Sequence, residues 1–107
     1  MTDDTAAFAM SHAVDGTTAT LNLVGELDTS SARAVDRTID EVIAAGAKTL
    51  VIDLSEISFI DSSGLRSLIR ARQQLGDAND VVRLRNPQPG TMRLLEITGL
   101  QDQFRLV

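Results

Sequence analysis

Thr49-Leu50-Val51-Ile52-Asp53-Leu54, carried on by Ile57, Phe59 and Ile60 into Asp61-Ser62-Ser63-Gly64-Leu65, orders everything around it. The nearly continuous apolar run at its start reads as a central strand covered on both faces. The run ends in an acid, two hydroxyls and a glycine. Leu65, Leu68, Ile69 and Leu75 then recur at helical spacing until Gly76. A strand that passes straight into a helix places Ser62 and Ser63 at a helix N-terminus. Unpaired backbone N–H groups and the positive end of the helix dipole favour an anion there. A phosphate on either hydroxyl would meet donors suited to it.

Upstream, Phe8 to His12 reads as a short strand and Asp15-Gly16 as a hairpin turn. Thr18, Thr20 and Asn22 alternate with Ala19, Leu21 and Leu23, which is a half-buried strand over Thr18 to Val24 closed by Gly25-Glu26-Leu27-Asp28. Thr29-Ser30-Ser31 supply N-cap hydroxyls for a helix that carries Ala32, Val35, Ile39, Val42 and Ile43 and stops at Gly46. Downstream, Val81 to Leu84 reads as a strand ending at Asn86-Pro87. Met92, Leu94, Leu95 and Ile97 fit a short helix ended by Gly99, and Phe104 with Leu106 suggests a last strand. The order is β-β-α-β-α-β-α-β. The expected fold is α/β, a mixed and mostly parallel sheet of about five strands with helices packed on it.

The 107 residues suit one domain over 1–107, with residues 1–5 as a disordered lead-in. With 43% hydrophobic residues the chain can bury a core, and Phe8, Phe59 and Phe104 are its only aromatics, so that core is mainly aliphatic. There is no cysteine, which excludes disulfides, thiolate metal sites and thiol catalysis. No apolar run approaches the ~18 residues of a membrane span. Met1-Thr2-Asp3-Asp4 lacks the layout of a secretion signal, so a cytoplasmic location is expected. Ten basic residues face fifteen acids, a net charge of −5, which argues against direct nucleic-acid binding.

Several side chains have plain structural roles to weigh. Ser62 and Ser63 serve as N-caps as readily as acceptors, with Ser63 the better cap. Asp28 caps the first helix or bonds the neighbouring loop, and Gly64 allows close backbone approach. Arg66, Arg70 and Arg72 look like a basic stripe on a solvated helix face. Asp53, read as the end of a strand, lacks the acidic pair and late lysine of a phospho-accepting receiver domain, since Lys48 is the only lysine. His12, the only histidine, has no clustered acids and makes no metal site. The serines lack the Gly-x-Ser-x-Gly elbow, and no phosphate-binding or dinucleotide-binding glycine motif is present. No enzyme activity, cofactor or metal is expected.

Three motifs in order carry a family resemblance: Gly25-Glu26-Leu27-Asp28, Asp61-Ser62-Ser63-Gly64-Leu65 and Leu94-Leu95-Glu96-Ile97-Thr98-Gly99-Leu100. From about Phe8 to Val107 the chain resembles the anti-sigma factor antagonists of the STAS family. The resemblance implies a bacterial partner-switching regulator of transcription. Such a protein binds an anti-sigma factor serine kinase when unphosphorylated, is released on serine phosphorylation, and is restored by a serine phosphatase. It also implies Ser62 as the phosphorylated residue, with Ser63 the alternative, supported by Asp28, Asp61 and Gly64. Thr29, Ser30, Ser63 and Arg66 are the expected partner contacts. The pattern often has glycine where Arg66 stands. Four residues past Ser62 on one helix face, Arg66 is open to a phosphate, a partner acid or solvent. Many relatives also continue into another helix where this chain reaches Val107. A second reading is a STAS module that does not switch, serving as a scaffold or a transporter accessory subunit.

Overall fold

The alternation that starts at Thr18 drives the first pairing. The structure, a computed structural model, describes residues 8–76, 78 and 80–107. The disorder expected of residues 1–5 falls outside them. β1 (Ala9–Asp15) and β2 (Thr18–Leu27) pair antiparallel through a two-residue turn in which Gly16 takes φ of 62°. α1 (Thr29–Ala44) then crosses to β3 (Thr49–Ile60), which lies parallel to β2. α2 (Ser62–Gln74) leads to β4 (Val82–Arg85), and α3 (Pro89–Thr98) with a 3-10 turn leads to β5 (Arg105–Leu106). The five strands lie in sequence order with β3 central. The fold is therefore an α/β mixed sheet with one antiparallel pair, the rest parallel, and three helices.

Leu21, Leu50, Ile52 and Leu84 are sealed from solvent and join one cluster with Val35 and Ile39 of α1, Leu68 of α2 and Leu95 of α3. The aliphatic spacing seen in each helix is what aims these side chains at the sheet. The opposite face differs. Thr20, Val51 and Arg83 stand in register across β2, β3 and β4, followed by Asn22, Asp53 and Arg85. Of these six only Val51 is buried, outside the main cluster. The expectation that β3 is covered on both faces is thus corrected. The cluster formed with the helices lies on one face, and Val51, between Thr20 and Arg83 in the sheet, is not part of it.

Two further boundaries move. β2 does not close at Val24 but runs on through Gly25, whose φ of 111° accommodates a break in register between Gly25 and Glu26. β3 likewise passes Asp53, where it was expected to end, and continues to Ile60. Gly25 pairs with Ile57 but Glu26 pairs with Phe59, so Ser58 is an extra residue on β3, a bulge. Past this bulge Phe59 turns outward, 51% exposed, while Ile60 returns to the core. Phe59 was expected to contribute to the core and does not.

Gly64 sits where α2 comes closest to having no room for a side chain. A Cβ there would lie 2.7 Å from Ile60 Cγ1 and 2.8 Å from both Leu27 Cγ and the Leu27 carbonyl oxygen. A methyl group at Gly90, in α3, would meet nothing within 4 Å. Gly64→Ala should therefore lower stability in urea unfolding by about 1–3 kcal/mol, whereas Gly90→Ala should leave it unchanged or raise it by about 0.5 kcal/mol. Equal effects of the two substitutions would contradict the close approach of α2 to the strand ends.

Candidate functional site

β2 and β3 end side by side, and the site grows from that register. Leu27 pairs with Ile60, and the Asp61 N–H donates to the Leu27 carbonyl at 3.2 Å. The residue after each partner is an aspartate, and each caps the helix that follows. Asp28 Oδ1 accepts from the N–H of Ser30 at 3.0 Å and of Ser31 at 3.2 Å, while Ser31 Oγ accepts from the Asp28 N–H at 2.9 Å. Asp61 Oδ1 accepts from the N–H of Ser63 at 2.8 Å and of Gly64 at 3.2 Å.

The caps are thus carboxylates rather than the hydroxyls of Thr29, Ser30, Ser31, Ser62 or Ser63. A carboxylate makes a charge-assisted bond and also meets the helix dipole, so the chain enters each helix one residue early. Ser31 does complete a capping box with Asp28. Ser62 and Ser63 become the first two helical residues of α2.

This arrangement separates the two serines. Ser63 is half-buried and its Oγ lies 3.0 Å from Thr29 Oγ1, a hydroxyl pair that joins the N-termini of α2 and α1. Ser62 is exposed, and its hydroxyl has no partner among the described residues. The surroundings are anionic. Asp28 also accepts from the Ser30 hydroxyl at 2.8 Å, and this bond, with the Ser31 N–H, holds its carboxyl below the usual carboxylate range. Asp61 already takes up two backbone donors of α2, so the end of that helix offers an incoming anion less than a bare helix end would. Gly64 lets α2 sit against Leu27 and Ile60, which fixes where Ser62 emerges.

A groove runs from this rim between the two helices, lined by Thr29, Arg33 and Asp36 of α1 and by Ser63, Arg66 and Arg70 of α2. Arg70 is no free cation: it pairs with Asp40 at 3.0 Å and Asp36 at 3.8 Å, and Gln74 also donates to Asp40. Arg72 turns instead to Gln103, at 3.5 Å. The expected basic stripe therefore resolves into three different environments, with only Arg66 of the three fully exposed. Arg33 was missed from the sequence, although Thr29, Arg33 and Asp36 follow a helical spacing that puts them on one face of α1.

Phe59 lines a second groove with Ile60, Thr91 and Leu94. Asp53 bonds the Ser55 N–H and hydroxyl within β3, and His12 lies exposed on the edge strand. Among the described residues no cluster of three or more metal-ligating side chains occurs, and no helix is long and apolar enough to cross a membrane.

The STAS domain family model matches residues 9–107, which is nearly all of the chain. The chain belongs to the STAS family. This STAS domain is 36% identical over 90 residues to the anti-sigma-F factor antagonist RsfB of Mycobacterium tuberculosis, covering 82% of this chain and 71% of that one. Its structure is similar to that of an anti-sigma factor antagonist from Mycobacterium paratuberculosis, with a TM-score of 0.81 and 29% identity over 94% of this chain and 85% of that one. It also shares the fold of the anti-sigma factor antagonist SpoIIAA. At 24% identity and 94% coverage of this chain, the TM-score is 0.78 for the unphosphorylated form (88% of that chain) and 0.71 for the phosphorylated form (91% of that chain).

The Asp28 cap has a pH signature. Asp28 titrates lower in the folded chain than in the unfolded one, so the stability it contributes is present above its unfolded value and lost as pH falls through its folded value. Asp28→Ala should lower the Tm at neutral pH, and the gap to the parent should narrow below about pH 4. Thermal melts of both proteins from neutral pH into acid test this. A gap that stays constant throughout would show that the carboxylate charge contributes nothing to the cap.

Proposed function

We propose that this STAS domain is an anti-sigma factor antagonist that regulates transcription in the cytoplasm by switching partners. With Ser62 unmodified it binds an anti-sigma factor serine kinase. Transfer of one phosphoryl group to Ser62 releases it, and a serine phosphatase restores the binding form. The observation that carries this reading is the contrast between two adjacent hydroxyls: Ser63 is bonded to Thr29, while Ser62 is exposed and unpartnered. The names of the relatives, anti-sigma factor antagonists in every case reported above, support the same reading. Asp28, Asp61 and Gly64 hold the acceptor in place, and Thr29, Ser30, Ser63 and Arg66 form the rim that a docked kinase meets.

The charge arithmetic is favourable to a switch. A phosphate brings about −1.5 to −2 charges. At ~5 Å and an effective dielectric near ~20, each like-charged pair repels by roughly 3 kcal/mol. A docking protein that excludes water from this rim removes the screening that makes such repulsion tolerable. Since about 1.4 kcal/mol is a tenfold change in affinity, even part of this repulsion separates two partners by decades. No refolding is required. The likeness of this chain to SpoIIAA in both its unphosphorylated and phosphorylated forms supports one fold for both states.

The test uses purified anti-sigma factor kinases of the source organism, each incubated with the chain and ATP. One kinase should bind the parent and add a single phosphate by mass. Ser62→Ala should bind that kinase and take no phosphate, and Ser62→Asp should bind it at least about tenfold more weakly. Phosphate incorporated by Ser62→Ala moves the site to Ser63. Binding without any phosphate on the parent favours a non-switching module.

A further inference from the structure

Resting on Ser62 as the phosphorylated residue, we infer that Arg33 and Arg66 form a receptor for carboxylates of the kinase, and that a phosphate on Ser62 competes for Arg66. The groove between α1 and α2 runs against the charge of the molecule. The chain carries −5, yet Arg33, Arg66 and Arg70 line this groove against one acid, Asp36. Arg70 is taken up by Asp40 and Asp36. Arg33 and Arg66 are both exposed, and neither has an ion pair or hydrogen bond among the described residues.

They project from opposite walls, one turn along from Thr29 and Ser62 respectively. Two uncompensated guanidinium groups flanking one groove gain most from a planar, bidentate acceptor, and a carboxylate fits that description. An acidic segment of a protein is favoured over a nucleic acid. A long polyanion would meet the fifteen acids of the chain, whereas one or two carboxylates meet only the groove. The groove is also continuous with the rim around Ser62, because Thr29 and Ser63 line both.

The competition follows from the helix. Ser62 is the first residue of α2 and Arg66 the fifth, a spacing that stacks them on one face. A phosphate on Ser62 draws the Arg66 fork toward itself and away from the groove. Phosphorylation then weakens the partner twice, by the charge it adds and by the cation it withdraws.

The test has two arms. In the first, the kinase that binds the parent chain is titrated with Arg33→Glu, Arg66→Glu and, as a control on α3, the exposed Arg93→Glu. Each groove variant should bind at least about tenfold more weakly and the control within about twofold. Equal affinities for all three would overturn the receptor. In the second, the chain phosphorylated on Ser62 is titrated by phosphorus NMR with and without Arg66→Ala. Loss of the arginine should raise the phosphate pKa by about 0.3 units or more, the scale of one exposed helical ion pair. An unchanged pKa would overturn the competition.

Should no kinase bind the parent, the functional reading fails by itself, and the groove is then read with a glutamate-rich peptide against a glutamine-rich one. Shifts of the Arg33 and Arg66 Nε–H signals with the first peptide alone uphold the receptor; no shifts overturn it. The phosphate arm is then run on chain carrying genetically encoded phosphoserine at Ser62.

Discussion

The parallel pairing of Leu27 with Ile60 determines what the functional end of this molecule looks like. Because the two strands finish in register, the residues that follow them, Asp28 and Asp61, arrive together and cap neighbouring helices. The Asp61 N–H extends the ladder by one more bond to Leu27, and Gly64 lets α2 settle against that same carbonyl. Neither cap works if the strands slip, since a one-residue shift would move each aspartate off its helix and turn the preceding leucine or isoleucine out of the core. Register, capping and close approach are thus one constraint expressed three ways.

That constraint also settles the electrostatics. A helix N-terminus is commonly an attractive place for an anion, and Ser62 at the start of α2 invites that view. Here the best donors are already used, because Asp61 accepts from Ser63 and Gly64. A phosphate on Ser62 would be a second anion at an end already served by a carboxylate, with Asp28, held ionised by its serine bonds, at the end of the neighbouring strand. Because Ser62 is exposed, a charge added there would face solvent rather than the fold. Such a charge would alter what the surface presents and leave the packing beneath it intact.

Much of this was legible in the chain. The periodicity of Thr18 to Leu23, the apolar run from Leu50 and the helical spacing of Leu65, Leu68 and Leu75 give the element order directly. The acid, hydroxyl and glycine at 61–64 mark where a strand becomes a helix. What escaped was whatever depends on pairing. Apolarity alone could not show that the face holding Val51 lies outside the main core, because that depends on Thr20 and Arg83 standing beside it. Phe59 reads as core until the bulge at Ser58 is known, and a bulge is a property of two strands together. The hydroxyls of Thr29-Ser30-Ser31 fail as N-caps because the helix begins one residue earlier, whereas Asp28 as the cap of the first helix holds. Arg33 had no reason to stand out until α2 was placed against α1.

The division of labour between α1 and α2 explains how an exposed rim can coexist with a rigid scaffold. Their facing surfaces are held at both ends, by the Thr29–Ser63 hydroxyl pair near the site and by Arg70 and Gln74 on Asp40 farther along. Exposed ion pairs of this kind add little stability individually. Their effect is geometric: they hold the groove walls at a fixed separation while the core cluster beneath bears the folding energy. Arg33 and Arg66 stand on those walls without partners of their own. Positions that the fold does not need are the ones free to be shaped by what docks there. Arg66 is such a position, exposed and bonded to nothing that the fold requires.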